Sequence, residues 1–308
     1  MVQGQAGERG DRQERGEGQE RFLARTKSFT RRSRELSPAL TRGFEGARQQ
    51  YVIDVPRGPG LTSVDPDFAL DPATLFGRRA PLIVEVGPGR GEQLVHFAKA
   101  HPEFNFLAFE VWVPGLARAT VSAAQEGLSN VRLIEADAQQ ALKTILPEAS
   151  VSEVWTFFPD PWRKSRHRKR RLVAADFAGS VSRILADGGL WRLATDWEDY
   201  ALQMLQVVEE SADLENPLSI EISGEVLAAE RISDLAEGSL VPGAGGFAPR
   251  FSGRIQTHFE ERGLKDHRRS YDITAVRMPR GTDGANERGT GGGIEEARLP
   301  DTGESGAQ

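Results

Sequence analysis

The sequence predicts an α/β fold: a doubly wound, mostly parallel sheet with helices on both faces and an antiparallel final strand. Three observations predict it. From Pro81 onward, short apolar runs alternate with helix-length segments five times, and successive β–α units pair as parallel strands through right-handed crossovers. The first four runs lead directly to Gly87, Glu110, Asp137 and the Pro-Asp-Pro-Trp turn around Asp160. After Gly263 no helix-length segment precedes the last run, Tyr271–Val276, so that strand is expected to run against the others.

The elements follow in order. Leu40–Tyr51 has helical character. Leu82–Val86 is a strand that stops at Gly87. Leu94, Val95, Phe97 and Ala98 give Glu92–Ala100 an apolar helical face, which Pro102 ends. Phe106–Phe109 is the second strand. Pro114 can open the next helix and Gly127 can close it. Val131–Ile134 is the third strand, and Ala138–Ile145 is helical up to Pro147. Val154–Phe158 is the fourth strand. Leu172, Val173, Phe177, Val181, Ile184 and Leu185 share one face of a long helix that Gly188-Gly189 closes. Leu190–Ala194 is the fifth strand, and Thr195 or Asp196 can cap the helix carrying Tyr200, Ala201, Met204, Leu205 and Val208. Residues 214–256 are less regular, with a Gly- and Pro-rich loop at Val241–Phe251. There is no internal repeat.

Of the 308 residues, the ends are expected to be disordered tails, because they hold too little apolar surface to offset ordering entropy. Residues 1–20 are polar, 21–80 form a basic N-terminal extension, 81–280 form the α/β domain with 214–256 as a divergent insertion, and 281–308 are acidic and Gly-rich. The net charge of −6 comes from those tails: residues 281–308 carry six acids against two Arg, and 1–20 carry five against three. The body between them is neutral and can present a concentrated basic face. Cysteine is absent, which excludes disulfides, thiolate metal sites and a cysteine nucleophile. The five His show no metal-ligand spacing, so no metal is expected. With no apolar leader and no apolar run near 18 residues, a cytoplasmic protein without a membrane span is expected.

Two stretches carry chemistry. Glu85-Val86-Gly87-Pro88-Gly89-Arg90-Gly91 lies where a strand gives way to a helix, and its glycines let backbone approach a ligand closely. Glu92 occupies the position where a dinucleotide fingerprint needs its third Gly. The E-x-G-x-G-x-G form is instead common among S-adenosylmethionine enzymes. Glu110, at the end of the second strand, can accept hydrogen bonds from a ribose diol, and Asp137, at the end of the third, can accept one from an adenine amine. The second stretch is W-T-F-F-P-D-P-W-R-K-S-R-H-R-K-R-R, Trp155–Arg171. It brings a carboxylate, Asp160, and an indole, Trp162, to the sheet edge, and seven Lys or Arg follow within nine residues. An indole there can stack on an extruded base, and the cations can neutralise phosphates. A second basic cluster, Arg21, Arg25, Lys27, Arg31, Arg32 and Arg34, reads equally as a solvated arm or as an RNA-contacting extension.

On these stretches, together with Ala194-Thr195-Asp196-Trp197 and T-H-F-E-E-R-G at Thr257–Gly263, the chain resembles the tRNA (guanine-N7)-methyltransferase family over most of 27–278. The resemblance implies a class I, Rossmann-like methyltransferase sheet of seven strands that uses S-adenosyl-L-methionine to methylate N7 of the variable-loop guanine, position 46, of tRNA. It implies cofactor binding by Glu85, Gly87, Glu110, Asp137 and Asp160, with Asp160 also catalytic. Substrate contacts fall on Lys164, Asp196, Thr257 and Glu260, and RNA contacts on Arg166, His167, Arg168, Lys169, Arg170 and Arg171. Two departures stand out: Pro88, where many relatives have Phe, and the long 214–256 region. The alternatives are a methyltransferase for another RNA position or a protein, a non-catalytic RNA-binding protein, and a nicotinamide-dependent oxidoreductase. The sequence leaves monomer and homodimer both open.

Overall fold

The computed structural model describes residues 35–217 and 246–281. The tails at 1–20 and 282–308, the basic cluster at 21–34 and most of the insertion, 218–245, lie outside the described residues. Seven strands form one sheet: β1 Leu82–Val86, β2 Asn105–Phe109, β3 Val131–Ile134, β4 Val151–Phe157, β5 Leu185–Thr195, β6 Leu214–Glu215 and β7 Tyr271–Arg277. Their order is β3-β2-β1-β4-β5-β7-β6. The first five run parallel, and β7 runs antiparallel to β5, pairing Leu190 with Val276 through to Thr195 with Tyr271. β1 therefore sits at the switch point, with β2 on one side and β4 on the other, where open α/β sheets leave a crevice beyond their carboxyl ends.

Eight α-helices are described: α1 Pro38–Tyr51, α2 Pro72–Phe76, α3 Glu92–Ala100, α4 Val113–Gln125, α5 Ala138–Ala141, α6 Ala175–Ile184, α7 Glu198–Glu209 and α8 His258–Lys265. Every residue of β1 and β2 is buried, as expected of strands covered on both faces. Strand alternation sends Leu82, Val84 and Val86 into one apolar layer with α6 and α7, and Ile83 into the other with α1, α3 and α4. Trp191 anchors the first layer and Trp155 the second, both fully buried. Each indole N–H is satisfied, by Thr156 Oγ1 at 3.1 Å and Glu153 Oε2 at 2.8 Å respectively. These elements fall within a compact unit ending at Met278.

Four boundaries differ from the sequence reading, each for a reason of tertiary contact. The helix expected over 138–145 stops at Ala141, because Arg183 Nη2 takes the carbonyls of Leu142 and Leu146 at 3.0 and 2.9 Å. Leu172 and Val173 precede α6 rather than belonging to it. Side chains of α7 claim that backbone: the Val173 N–H donates to Tyr200 Oη and Gln203 donates to the Val173 carbonyl. Gly188-Gly189 does not close a helix but lies inside β5, where pairing slips from Val151–Leu185 to Glu153–Leu190. A Cβ on Gly189 would stand 2.8 Å from the Ala186 oxygen, so the bulge requires Gly. Finally, T-H-F-E-E-R-G is helical through Gly263. The cap of α8 is remote: the His258 N–H donates to Glu92 Oε2 at 2.9 Å.

Candidate active site

A cavity of about 180 Å³ opens beyond the carboxyl ends of β1–β4. Its wall includes Glu85, Gly87 and Gly89, Glu110, Asp137, Asp160 and Trp162. It is also lined by Arg254 and Thr257, from the segment leading into α8, and by Phe259 in the first turn of that helix. Of the residues singled out from sequence, Glu85, Gly87, Glu110, Asp137, Asp160 and Thr257 thus line one cavity. Lys164, Asp196 and Glu260 do not line it.

The glycine turn is held by the acid of the next strand. Glu110 Oε2 accepts from the Gly89 N–H and Oε1 from the Trp112 N–H, both at 2.8 Å. Gly91 has φ +77°, and a Cβ there would lie 2.5 Å from the Ala119 methyl, so only Gly lets α3 and α4 close around the turn. Asp137 caps α5 by accepting from the Gln139 N–H at 3.0 Å. Glu85 is different. It is buried, and its Oε2 has no hydrogen-bond partner. Burial, and then the neighbouring Glu110, push its carboxyl up to about 8. A buried carboxylate oxygen aimed into a cavity is suited to a cationic or hydroxyl-bearing ligand.

The Pro-Asp-Pro-Trp corner is strained. Phe158 and Trp162 hold φ of 50° and 44°, a left-handed conformation unusual for aromatic residues and costing on the order of 1–3 kcal/mol each. Two contacts fix the corner. The Phe158 N–H donates to the Ala194 carbonyl at 2.8 Å, and Arg171 Nε donates to the Pro161 carbonyl at 2.9 Å. Arg171 therefore departs from the basic run it closes. Its side chain is 1% exposed, pairs with Asp199 at 2.6 Å and lies over the Tyr200 ring. Such an arginine has no face for RNA, which corrects its place among the surface cations.

The rest of the run forms a 3₁₀ turn, Ser165–Arg170. Lys164, Arg166, Arg168 and Lys169 are exposed, although Arg168 is tethered to Asp199 at 2.9 Å. His167 and Arg170 are half-buried around Trp162, the guanidinium 5.1 Å from the ring centroid and the imidazole edge-on at 5.9 Å. Desolvation and the adjacent cations hold His167 below the usual imidazole range.

The remaining acids named from sequence are engaged internally. Asp196 pairs with Arg268 Nε at 2.8 Å. Glu260 is buried and contacts Arg250 and Arg254 at 2.9 Å and Ser270 Oγ at 3.0 Å. Burial pushes its carboxyl up, but the Arg250 hydrogen bond and the two guanidinium charges outweigh that and hold it low. Arg254 also grips Asp272 with Nε and Nη2, at 3.2 and 2.7 Å, and lies 5.1 Å from the Phe158 ring centroid. Gln93 ties the same segment to α3, donating to the Gly253 carbonyl and accepting from the Ile255 N–H. Arg254, Gln93 and Glu92 were not singled out as site residues from sequence. The partners of Gln93 and Glu92 lie 160 to 166 residues away, so no local spacing could mark them; Arg254 has nearer partners, Glu260 and Asp272, but falls in a stretch with no regular period. Among the described residues, no three His, Asp or Glu gather as a metal site, and no helix is long and apolar enough to cross a membrane.

A parallel sheet reversed at β1, a glycine turn after that strand, and acids at four strand ends around one cavity define a class I, Rossmann-like methyltransferase. A family model described as "Putative methyltransferase" matches residues 79–225. The tRNA (guanine-N(7)-)-methyltransferase of Paenarthrobacter aurescens is 41% identical over 276 residues, covering 82% of this chain and 92% of that one. Those of Cutibacterium acnes and Hydrogenovibrio crunogenus are 41% and 39% identical, covering 82% of this chain and 83% and 92% of theirs. The chain belongs to the tRNA (guanine-N(7)-)-methyltransferase family.

Proposed function

We propose that this protein transfers the methyl group of S-adenosyl-L-methionine to N7 of a guanine in tRNA, the variable-loop guanine at position 46, and that it does so in the cytoplasm. One observation carries the reading: Asp160 shares a cavity wall with the glycine turn and the strand-end acids, and an exposed cationic turn begins five residues later.

The residues fit the cofactor. Glu85 has an unpartnered buried oxygen for a cationic or hydroxyl group, Glu110 stands at the second strand end for ribose hydroxyls, and Asp137 stands at the third for an adenine amine. Bound there, S-adenosylmethionine supplies an electrophilic methyl group and leaves its positive charge on the purine. Guanine N7 already carries an available lone pair and loses no proton, so the site needs no strong general base. Asp160 instead orients the guanine and offsets the positive charge developing on it. Holding both reactants in one cavity supplies much of the remaining acceleration. Lys164 and the Ser165–Arg170 turn take backbone phosphates.

The test is transfer of labelled methyl to tRNA lacking the modification, followed by nucleoside analysis. The label is expected in 7-methylguanosine. Asp160→Ala is expected to lower the rate by about 10²- to 10³-fold with an unchanged melting temperature. Label in another nucleoside, or full activity in that variant, overturns the reading.

A further inference from the structure

We propose that Phe259 is the surface on which the target base stacks. The inference rests on the reading above, that the cavity admits an RNA base.

Phe259 is 42% exposed, although it lines the cavity. Among the described residues it is the one aromatic side chain among the exposed large apolar groups. Its position is nevertheless fixed. The residue before it is capped by Glu92, and the residue after it is locked to Arg250 and Arg254. Its ring also packs against the glycine turn, with Cε2 3.2 Å from where a Cβ on Gly89 would stand. An apolar ring held at a cavity rim with one side in water is a ready platform for a flat partner. Every base offers a π-face to such a ring.

Trp162, the aromatic residue named from sequence for this task, is less suited to it. Arg170 and His167 pack around its ring, and its strained backbone belongs to the corner that presents Asp160. The two aromatics therefore divide the work: Trp162 builds the corner, and Phe259 receives the base. The arrangement also favours the reaction. A purine methylated at N7 is a cation, and an aromatic face attracts a cation more strongly than a neutral ring. Stacking on Phe259 thus strengthens as the methyl group arrives, which is the kind of interaction that raises rate rather than only affinity.

The experiment compares Phe259→Ala, Phe259→Leu and Phe259→Tyr with the parent protein. It measures kcat/KM for tRNA, the melting temperature, and S-adenosylmethionine affinity by equilibrium dialysis without RNA. Ala and Leu are expected to lower kcat/KM by about 5- to 150-fold, the range for losing one base–aromatic stack. Tyr is expected to recover most of that loss, with cofactor affinity unchanged in all three. Activity of the Leu variant equal to that of Tyr would mean that bulk suffices, and the proposal fails. A loss confined to cofactor affinity would make Phe259 a cover for the cofactor, which also overturns it. If the parent labels tRNA and the variants match it, the functional reading stands and this inference falls. If the parent labels no RNA, both fall.

Discussion

The acids that line the cavity and the acids packed outside it are held in different ways. Along the cavity, Glu85 is buried with an oxygen that no protein donor reaches, and Glu110 and Asp137 accept from backbone N–H groups. Outside the cavity lining, Asp196, Asp199, Glu260 and Asp272 each meet an arginine. A buried carboxyl with an unpartnered oxygen is held as the neutral acid until a ligand arrives, and it leaves hydrogen-bonding capacity for that ligand to complete. Carboxylates paired with cations, buried in Glu260 and Asp272 and half-buried in Asp196 and Asp199, have spent their charge on the protein itself, and what they contribute is position. The contrast separates residues that touch ligand from residues that hold other residues in place, a distinction that motif resemblance does not make.

The widest break in that comparison comes from Arg254. It contacts Glu260 and Asp272 with a guanidinium that is 1% exposed, so its removal takes from buried Asp272 the group that grips both its oxygens and leaves buried Glu260 with Arg250 and Ser270. Burial already pushes Asp272 up, with Arg254 opposing that shift. Arg254→Met is expected to cost about 3–5 kcal/mol in denaturant unfolding, the range for breaking a buried ion pair from one side. Adding Glu260→Gln and Asp272→Asn to that variant should recover part of the loss, since no buried charge then lacks a partner. A single-variant cost below about 1 kcal/mol, in the range of an exposed pair, would show that the cluster does not lock the segment.

Glu85 gives the next effect, of opposite sign. Its folded-state carboxyl titrates near 8 against an ordinary value of 4.5. Between those values the folded protein holds a proton that the unfolded chain has lost. Stability of the ligand-free protein should therefore fall as pH rises through that window, by about 1.4 kcal/mol per pH unit, and level off above it. Glu85→Gln should flatten this slope and make the ligand-free protein more stable at the alkaline end. Binding of S-adenosylmethionine below pH 8 should release a proton from Glu85, visible as a buffer-dependent binding enthalpy that the Gln variant lacks. A parent profile already flat across the window would remove Glu85 as an acid left for the ligand.

These residues also mark how far the sequence could be read. Leu82–Val86 and Glu92–Ala100 were legible to the residue, because each is a local apolar pattern with its stop signal beside it. The strand-end acids followed directly, since a position at a strand end is fixed once the strand is found. Helix α8 was not legible across Gly263. Its cap, Glu92, lies 166 residues away, and Gly263 sits where a Cβ would crowd the Asp196 carboxylate oxygen at 2.6 Å. Phe259 fell within a stretch already noted, but its exposure beside the glycine turn is a tertiary fact. Arg171 looked like its neighbours because a run of cations carries no record of which one meets Asp199 and Gln203.

That last ambiguity yields the finest test. Arg166 and Lys169 are exposed on the 3₁₀ turn, whereas Arg171 is buried beneath it against Pro161 and Asp199. If the first two each neutralise one RNA phosphate, changing either to Ala should reduce the slope of log affinity against log salt by about 0.7–0.9 and leave the melting temperature unchanged. Arg171→Ala should do the reverse: it should lower the melting temperature and turnover, because the corner carrying Asp160 loses its tie through Pro161, while the salt slope stays that of the parent. Filter-binding titrations across a salt series, paired with melts, distinguish the two behaviours. Equal slope changes from all three would mean that the guanidinium of Arg171 leaves its pocket to meet RNA, and the division between ligand contact and internal strut would then fail at the residue that separates them most clearly.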